Sequence, residues 1–199
     1  PYFYEEGELE LAEWDFHGDL ADAAGSAWSS VHDMGLWAQF LLRGAVTGSG
    51  QRLISEGMTK EMFKPQSLIA TDDFYPTTQL TRPDWTSYGL GWFQQNFQGR
   101  KIDFHTGSLS GLIAIIGLDR AEDRAVIVLG NRDHAEMRHA VLWEVMDNGT
   151  GGVSRDWNQE IWELYTGLAG KGGETWEETK KQRLRKTRPS PSKDDYLGT

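Results

Sequence analysis

The sequence predicts an α/β protein of the α+β sandwich kind, an antiparallel sheet flanked by helices. Two runs, Leu112–Ile116 and Ala125–Leu129, are apolar at every position instead of alternating, the pattern of strands covered on both faces. Only a short charged segment, Asp119 to Asp123, joins them, and a parallel crossover needs a dozen or more residues, so they are antiparallel neighbours. Segments of helical period lie before and after them and supply the cover.

Taken in order, residues 1–27 carry many acids and little periodicity and read mostly as loop. Ser29 or Ser30 then caps a helix. With Ser30 as cap, Asp33 falls at the third helical position, where a carboxylate meets unpaired N–H groups and the positive end of the dipole. Val31, Met34, Trp37, Ala38 and Leu41 follow at helical spacing, and Gly44 ends the run. After a turn at Thr47–Gly50, a short helix over Glu56–Phe63 is capped by Ser55 and stopped before Pro65. Residues 65–87, with Pro65, Pro76 and Pro83, read as a long irregular loop, a kind that is usually functional or poorly ordered. Four strands are predicted next: Tyr88–Phe97, Lys101–His105, Leu112–Leu118 and Arg124–Asn131, with Gln98-Gly99 and Asp119–Asp123 as hairpin connections. A helix over Asp133–Asp147 opens with Asp133 and Glu136, a variant capping box. Another over Asp156–Leu168 places Trp157, Ile161, Leu164, Tyr165 and Leu168 on one face, and from Gly170 onward the chain reads as linker.

Composition narrows the function. The 199 residues are 38% apolar and 12% aromatic, too hydrophobic for a disordered chain and enough for one core. With no Cys there is no disulfide, thiolate metal site or thiol nucleophile. The apolar runs are far too short to span a membrane, and no charged-then-apolar segment at the start of these residues reads as a secretory signal. The chain opens on Pro1, which reads as a processed product or an excised piece, so its compartment is not legible. Residues 1–179 hold 13 basic and 28 acidic side chains, a surface that repels nucleic acid. Residues 180–193 hold seven basic and no acidic ones, either a solvated linker or a site for an anionic partner.

Phe104-His105-Thr106-Gly107-Ser108-Leu109-Ser110-Gly111 is the most informative segment. It sets a titratable ring, hydroxyls and small residues at a strand end, where bare backbone N–H groups can hold an oxyanion. By itself it also reads as a plain turn between two strands. Trp85, Tyr88 and Trp92 fit a cleft lining or a core equally well. No metal is expected: His134 and His139 are five apart, not the four that puts two ligands on one helical face, and His17 and His32 lack ligand spacing. No other cofactor is indicated.

Three segments in order resemble the C-terminal half of the serine β-lactamase-like hydrolases, which include class C β-lactamases, DD-peptidases and related esterases. They are Ala24-Gly25-Ser26-Ala27-Trp28-Ser29-Ser30-Val31-His32-Asp33-Met34, then Tyr88-Gly89-Leu90-Gly91-Trp92, then His105-Thr106-Gly107 with Gly111 and the strand ending Val126-Ile127-Val128-Leu129-Gly130-Asn131. The resemblance implies a partial β-lactamase/transpeptidase-like fold and a small-molecule or peptide substrate attacked through an acyl-serine. His105-Thr106-Gly107 is similar to the family's Lys-Thr-Gly, with His in place of Lys. It implies that His105 orients substrate and supports proton traffic and that Thr106 contacts a substrate carboxylate or amide. Gly107 would let the substrate approach, and the Ser108 N–H would donate one oxyanion-hole bond.

The departures matter equally. No Tyr-x-Asn or Ser-x-Asn triplet occurs, and Ser-x-x-Lys occurs once, at Ser190-Pro191-Ser192-Lys193, after the motif it should precede. The expectation is therefore that residues 1–169 are the C-terminal portion of the hydrolase domain, with the nucleophile half absent. That missing part would act as a partner, and its absence would leave an apolar face uncovered. Residues 170–199 would be a basic, Pro-containing linker toward an appended domain. Relatives of this kind are often periplasmic or secreted. The alternatives left open are a non-catalytic binding or scaffold protein on the same fold, and an unrelated module in which His105 is only a turn residue.

Overall fold

The computed structural model describes residues 1–5, 7–12, 22–109, 111–147 and 155–183. The expectations resting on His17, Ser110, the Ser190–Lys193 motif and the chain end fall outside them. The chain divides into two units, Pro1–Leu164 and Tyr165–Thr199.

The first unit is built on a six-stranded antiparallel sheet whose spatial order is the order of the chain. Its strands are β3 (Ser67–Ile69), β4 (Thr86–Tyr88), β5 (Phe93–Phe97), β6 (Arg100–Leu109), β7 (Leu112–Asp119) and β8 (Arg124–Gly130). A separate hairpin, β1 (Tyr2–Glu5) with β2 (Glu8–Leu11), precedes them. Tyr2 N–H donates to Asn131 O and Asp133 N–H donates to Tyr2 O, which tethers that hairpin beyond the end of β8. So the N-terminal stretch expected to be loop is partly strand. A four-residue helix, α1 (Asp22–Gly25), follows it.

Helix α2 (Val31–Leu42) forms as expected: the Ser30 hydroxyl accepts from Asp33 N–H at 3.1 Å. Helix α3 (Glu56–Met62) is capped in the same way by Ser55, which accepts from Met58 N–H at 3.2 Å. The expected irregular loop after α3 is instead ordered structure, with β3, a 3₁₀ turn (Thr71–Asp73), a short helix α4 (Thr78–Thr81) and β4. Thr86 Oγ1 donates to Ile69 O and Asn96 Oδ1 accepts from the Asp84 and Trp85 N–H groups, bonds that tie this stretch to the sheet. The strand expected over Tyr88–Phe97 is split by a turn in which Gly91 takes φ 81° and Gly89 N–H donates to Trp92 O.

Helices pack on both faces of the two apolar strands, covering the α5 face along its length and the other face only in part. Register places Ile113, Ile115, Gly117 and Val126 on one face, against α5 (Met137–Asp147), and Leu118, Ile116, Ala125 and Ile127 on the other. On that second face Ala38 and Leu41 of α2 join Phe63, Trp92 and Leu118 in one core cluster. On the first, an ideal Cβ on Gly117 would lie 2.2 Å from Leu142 Cδ1, so a side chain there would force Leu142 to move. The last carbonyls of α5 are met by cations: Arg100 donates to Met146 O at 2.6 Å and Arg124 to Val145 O at 2.6 Å.

Helix α5 starts later than the capping box predicts. His134 is left-handed (φ 47°), and Asp133 spends its N–H on Tyr2 and its carboxylate on the His134 ring. Helix α6 (Trp157–Gln182) begins where expected, with Asp156 Oδ1 accepting from Gln159 N–H, and its Trp157 and Ile161 are buried. It continues past Leu168 to Gln182, so residues 170–182, expected to be linker, are helical and exposed.

Candidate functional site

The segment His105-Thr106-Gly107-Ser108 is strand, not turn: all four residues belong to β6 and pair with β7. On β6 the partner strand β5 reaches only Arg100–Phe104 and ends at Phe93, so from His105 onward β6 has, among the described residues, one paired and one open edge. Hairpin geometry settles which groups face the opening. Gln98 and Gly99 take φ 50° and 75°, the two-residue turn that makes Phe97 and Arg100 a hydrogen-bonded pair. Alternation along the ladder then sends the main-chain groups of Arg100, Ile102 and Phe104 to β5. The same parity sends the N–H and C=O of Thr106 and Ser108 to the open edge, while His105, Gly107 and Leu109 bond β7.

Each side chain finds a different setting. His105 is exposed, with its ring 5.5 Å from that of Phe93 and 6.3 Å from that of Tyr88. Loss of water contact at this packed ring lowers its pKa, so the imidazole is neutral at pH 7. Gly107 is exposed and a Cβ built on it would touch nothing, leaving free space over the strand. The Ser108 hydroxyl is buried without a hydrogen-bond partner among the described residues.

Thr106 is the residue whose side chain departs from its implied setting. It is 5% exposed, and its hydroxyl donates to Ala114 O and accepts from Arg138 Nε, both at 2.8 Å. Arg138, itself buried, lies on α5 and is held from behind by Glu136 at 3.4 Å. Tyr75 stands nearby, its ring 4.8 Å from Phe93 and 5.4 Å from His139; burial raises its phenol pKa while the Arg138 charge opposes that shift. His139 is buried and held down to a pKa of about 3, by desolvation first and the Arg138 charge second.

Arg138 and Tyr75 escape a reading by motif. A signal for the first exists: Arg138, Leu142 and Met146 form one buried stripe four residues apart, and a cation in an apolar stripe needs a reason. The ambiguous aromatics divide. Trp92 is core, 5.3 Å from Phe63, whereas Tyr88 is half-buried at the rim beside His105.

Behind this rim Asp103, fully buried, gathers Gln94 Nε2 at 2.7 Å, Lys101 Nζ at 3.0 Å and Arg120 Nε at 3.1 Å. Burial pushes the Lys101 amine pKa down, with Asp103 opposing. Gln94 and Lys101 also donate to Phe63 O, pinning the end of α3 to the sheet. Beyond β6 the α2 side of the sheet is thinly covered: Leu109 is 55% and Leu129 41% exposed, and Ala114 is exposed between them. Among the described residues no group of three His, Asp or Glu is placed to hold a metal, and no helix is long and apolar enough to cross a membrane.

The fold and the open strand together define an α/β protein with a rim of main-chain donors and acceptors beside a neutral imidazole. A family model described as Beta-lactamase matches residues 3–150, and the chain belongs to that family. Comparison with curated proteins and with solved structures gives no match.

Proposed function

We propose that this chain carries the sheet side of a serine hydrolase cleft that acts on an amide, ester or β-lactam carbonyl, with the nucleophile supplied from outside residues 1–199. The observation that carries the reading is the open edge of β6, where Thr106 and Ser108 present main-chain groups that have no strand partner among the described residues, next to His105 and Gly107. In the reaction a serine oxygen adds to the carbonyl, the leaving group departs with a proton, and water releases the acyl group. The Ser108 N–H donates to the oxygen as it gains charge. A neutral His105 accepts or relays a proton, which a protonated ring could not do. Thr106 contributes through its main chain, because its hydroxyl is committed to Arg138 and Ala114.

The absence of Tyr-x-Asn and Ser-x-Asn, and the late position of Ser-x-x-Lys, support a nucleophile from elsewhere. Residues 1–199 incubated with a chromogenic ester or a labelled penicillin are expected to form no acyl-enzyme; a burst of product overturns that part. In a chain that also contains an upstream Ser-x-x-Lys, His105→Ala is expected to slow turnover at least about tenfold, ~1.4 kcal/mol. An unchanged rate overturns the role of His105.

A further inference from the structure

We propose that the α5 side of the sheet binds one internal water molecule, in a socket where the side chains of Thr77, Gln95 and Trp143 converge. All three residues are fully buried, and Thr77 Oγ1, Gln95 Oε1 and Trp143 Nε1 have no hydrogen-bond partner among the described residues. Register and ring contacts bring them together. Gln95 lies between Phe93 and Phe97 on the α5 face of β5, opposite Ile102 of β6. The Trp143 ring spans the diagonal across that pair, 5.2 Å from Phe97 and 6.0 Å from Phe104. From the other side Thr81 Oγ1 receives the Gln95 amide at 2.9 Å. Thr77 stands one helical turn before Thr81, and its carbonyl accepts from the Thr81 hydroxyl at 3.1 Å.

Hydrogen-bond direction identifies the ligand. Thr81 spends its only hydroxyl hydrogen on Thr77 O, so its oxygen can only accept, and the Gln95 group facing it is the Nε2 amide. The unpaired Gln95 atom is therefore the oxygen, an acceptor. Trp143 Nε1 can only donate, and the Thr77 hydroxyl can do either. A cation is refused by the indole N–H and an anion by the Gln95 oxygen. Water satisfies all three: it accepts from Trp143, donates to Gln95 and shares a bond with Thr77, about the number of partners an internal water makes. Bare polar atoms this deep cost free energy, which a bridging water recovers. Trp157 closes the socket toward solvent, 6.2 Å from Trp143 and 6.0 Å from Phe97. The water thereby ties the Tyr75–Thr81 stretch to β5 and α5. That stretch seats Tyr75 against Phe93 at 4.8 Å and Phe104 at 5.7 Å, beneath the strand that continues into His105.

The test uses the 199-residue chain and two NMR measurements. Relaxation dispersion of oxygen-17 in the solvent counts long-lived waters and does not respond to hydroxyl protons, and water-to-indole cross-relaxation places one of them. The Trp143 indole proton, identified by its loss in Trp143→Phe, is expected to show a cross-peak to water with the sign of a molecule that tumbles with the protein. The dispersion amplitude is expected to fall by one water per chain when Trp143→Phe is combined with Thr77→Val, and to stay unchanged in Thr77→Ser, which keeps the hydroxyl. Should the double variant fail to fold, the indole cross-peak of the unaltered chain decides by itself. An indole proton protected from exchange but without a water cross-peak, or a dispersion amplitude that the double variant leaves unchanged, overturns the internal water.

Discussion

Replacing Thr106 with Val keeps the shape of the side chain and deletes one oxygen. That oxygen makes two bonds of 2.8 Å, one donated to Ala114 O and one accepted from Arg138 Nε, in a residue 5% exposed. A neutral buried hydrogen bond contributes about 1 kcal/mol and one to a charged group about 1.5–3 kcal/mol. Both former partners then lie close to apolar atoms, so little is recovered, and the loss is expected to be about 2–4 kcal/mol. With a urea slope of about 2 kcal/mol/M the unfolding midpoint falls by about 1–2 M with the slope unchanged. A double-mutant cycle with Arg138→Met should give a coupling of at least about 1 kcal/mol, because both substitutions remove the same bond. Thr106→Ser, which keeps the hydroxyl, should recover most of the loss. A midpoint shift below about 0.3 M, or strict additivity in the cycle, refutes the view that Thr106 is a structural tie between α5 and the open strand.

Gly117→Ala drives a methyl into Leu142 and is expected to lower stability by about 1–3 kcal/mol, with Leu142→Ala in the same chain relieving the clash; thermal melts of the single and double variants decide it. His139 has a folded pKa of about 3, below its unfolded value, so it has no effect on stability at pH 7 and becomes destabilising as pH falls below about 6.5, where the unfolded chain alone takes up the proton. Between pH 6.5 and 5 this amounts to about 2 kcal/mol, and urea titrations should show that share of the pH dependence missing in His139→Gln. The His105 imidazole, followed by NMR against pH, should titrate below the ordinary histidine value, and a midpoint at or above it removes the case for a neutral ring. Residues 1–199 alone should bind a hydrophobic dye through the Leu109–Ala114–Leu129 face, and Leu109→Ser with Leu129→Ser should weaken that signal; a monomer with a cooperative melt and no dye binding contradicts it.

The elements legible in the sequence are those with strong local chemistry. Helices α2 and α3 announce themselves through Ser30 and Ser55, and β5 to β8 through turn residues such as Gln98-Gly99. Strands β3 and β4 are three residues long, too short to show a period, and their places are set by pairing across the sheet. In the β1–β2 hairpin the alternation of Tyr2 and Tyr4 with Leu9 and Leu11 is brief and diluted by Glu5, Glu8 and Glu10. The start of α5 was hidden by a left-handed residue at His134, a conformation no capping pattern signals. The long reach of α6 runs against the low helix propensity of Gly167, Gly170, Gly172 and Gly173. At the site, the His105–Ser108 stretch stands out by its motif. That its hydroxyl turns inward to a buried arginine depends on where α5 lands, and that is decided by packing over Gly117.

A sheet laid down as a simple meander has a kinetic consequence. Each of the ladders from β5 to β8 closes over a few residues, and the longest gap between sheet neighbours, from β3 to β4, is bridged by local helical turns. Closing short loops is the least demanding step in chain entropy, and topologies dominated by such contacts fold fast. The ladder can therefore zip up from the Gln98-Gly99 turn outward as the polypeptide leaves the ribosome. The helices then need only settle onto a platform that already exists.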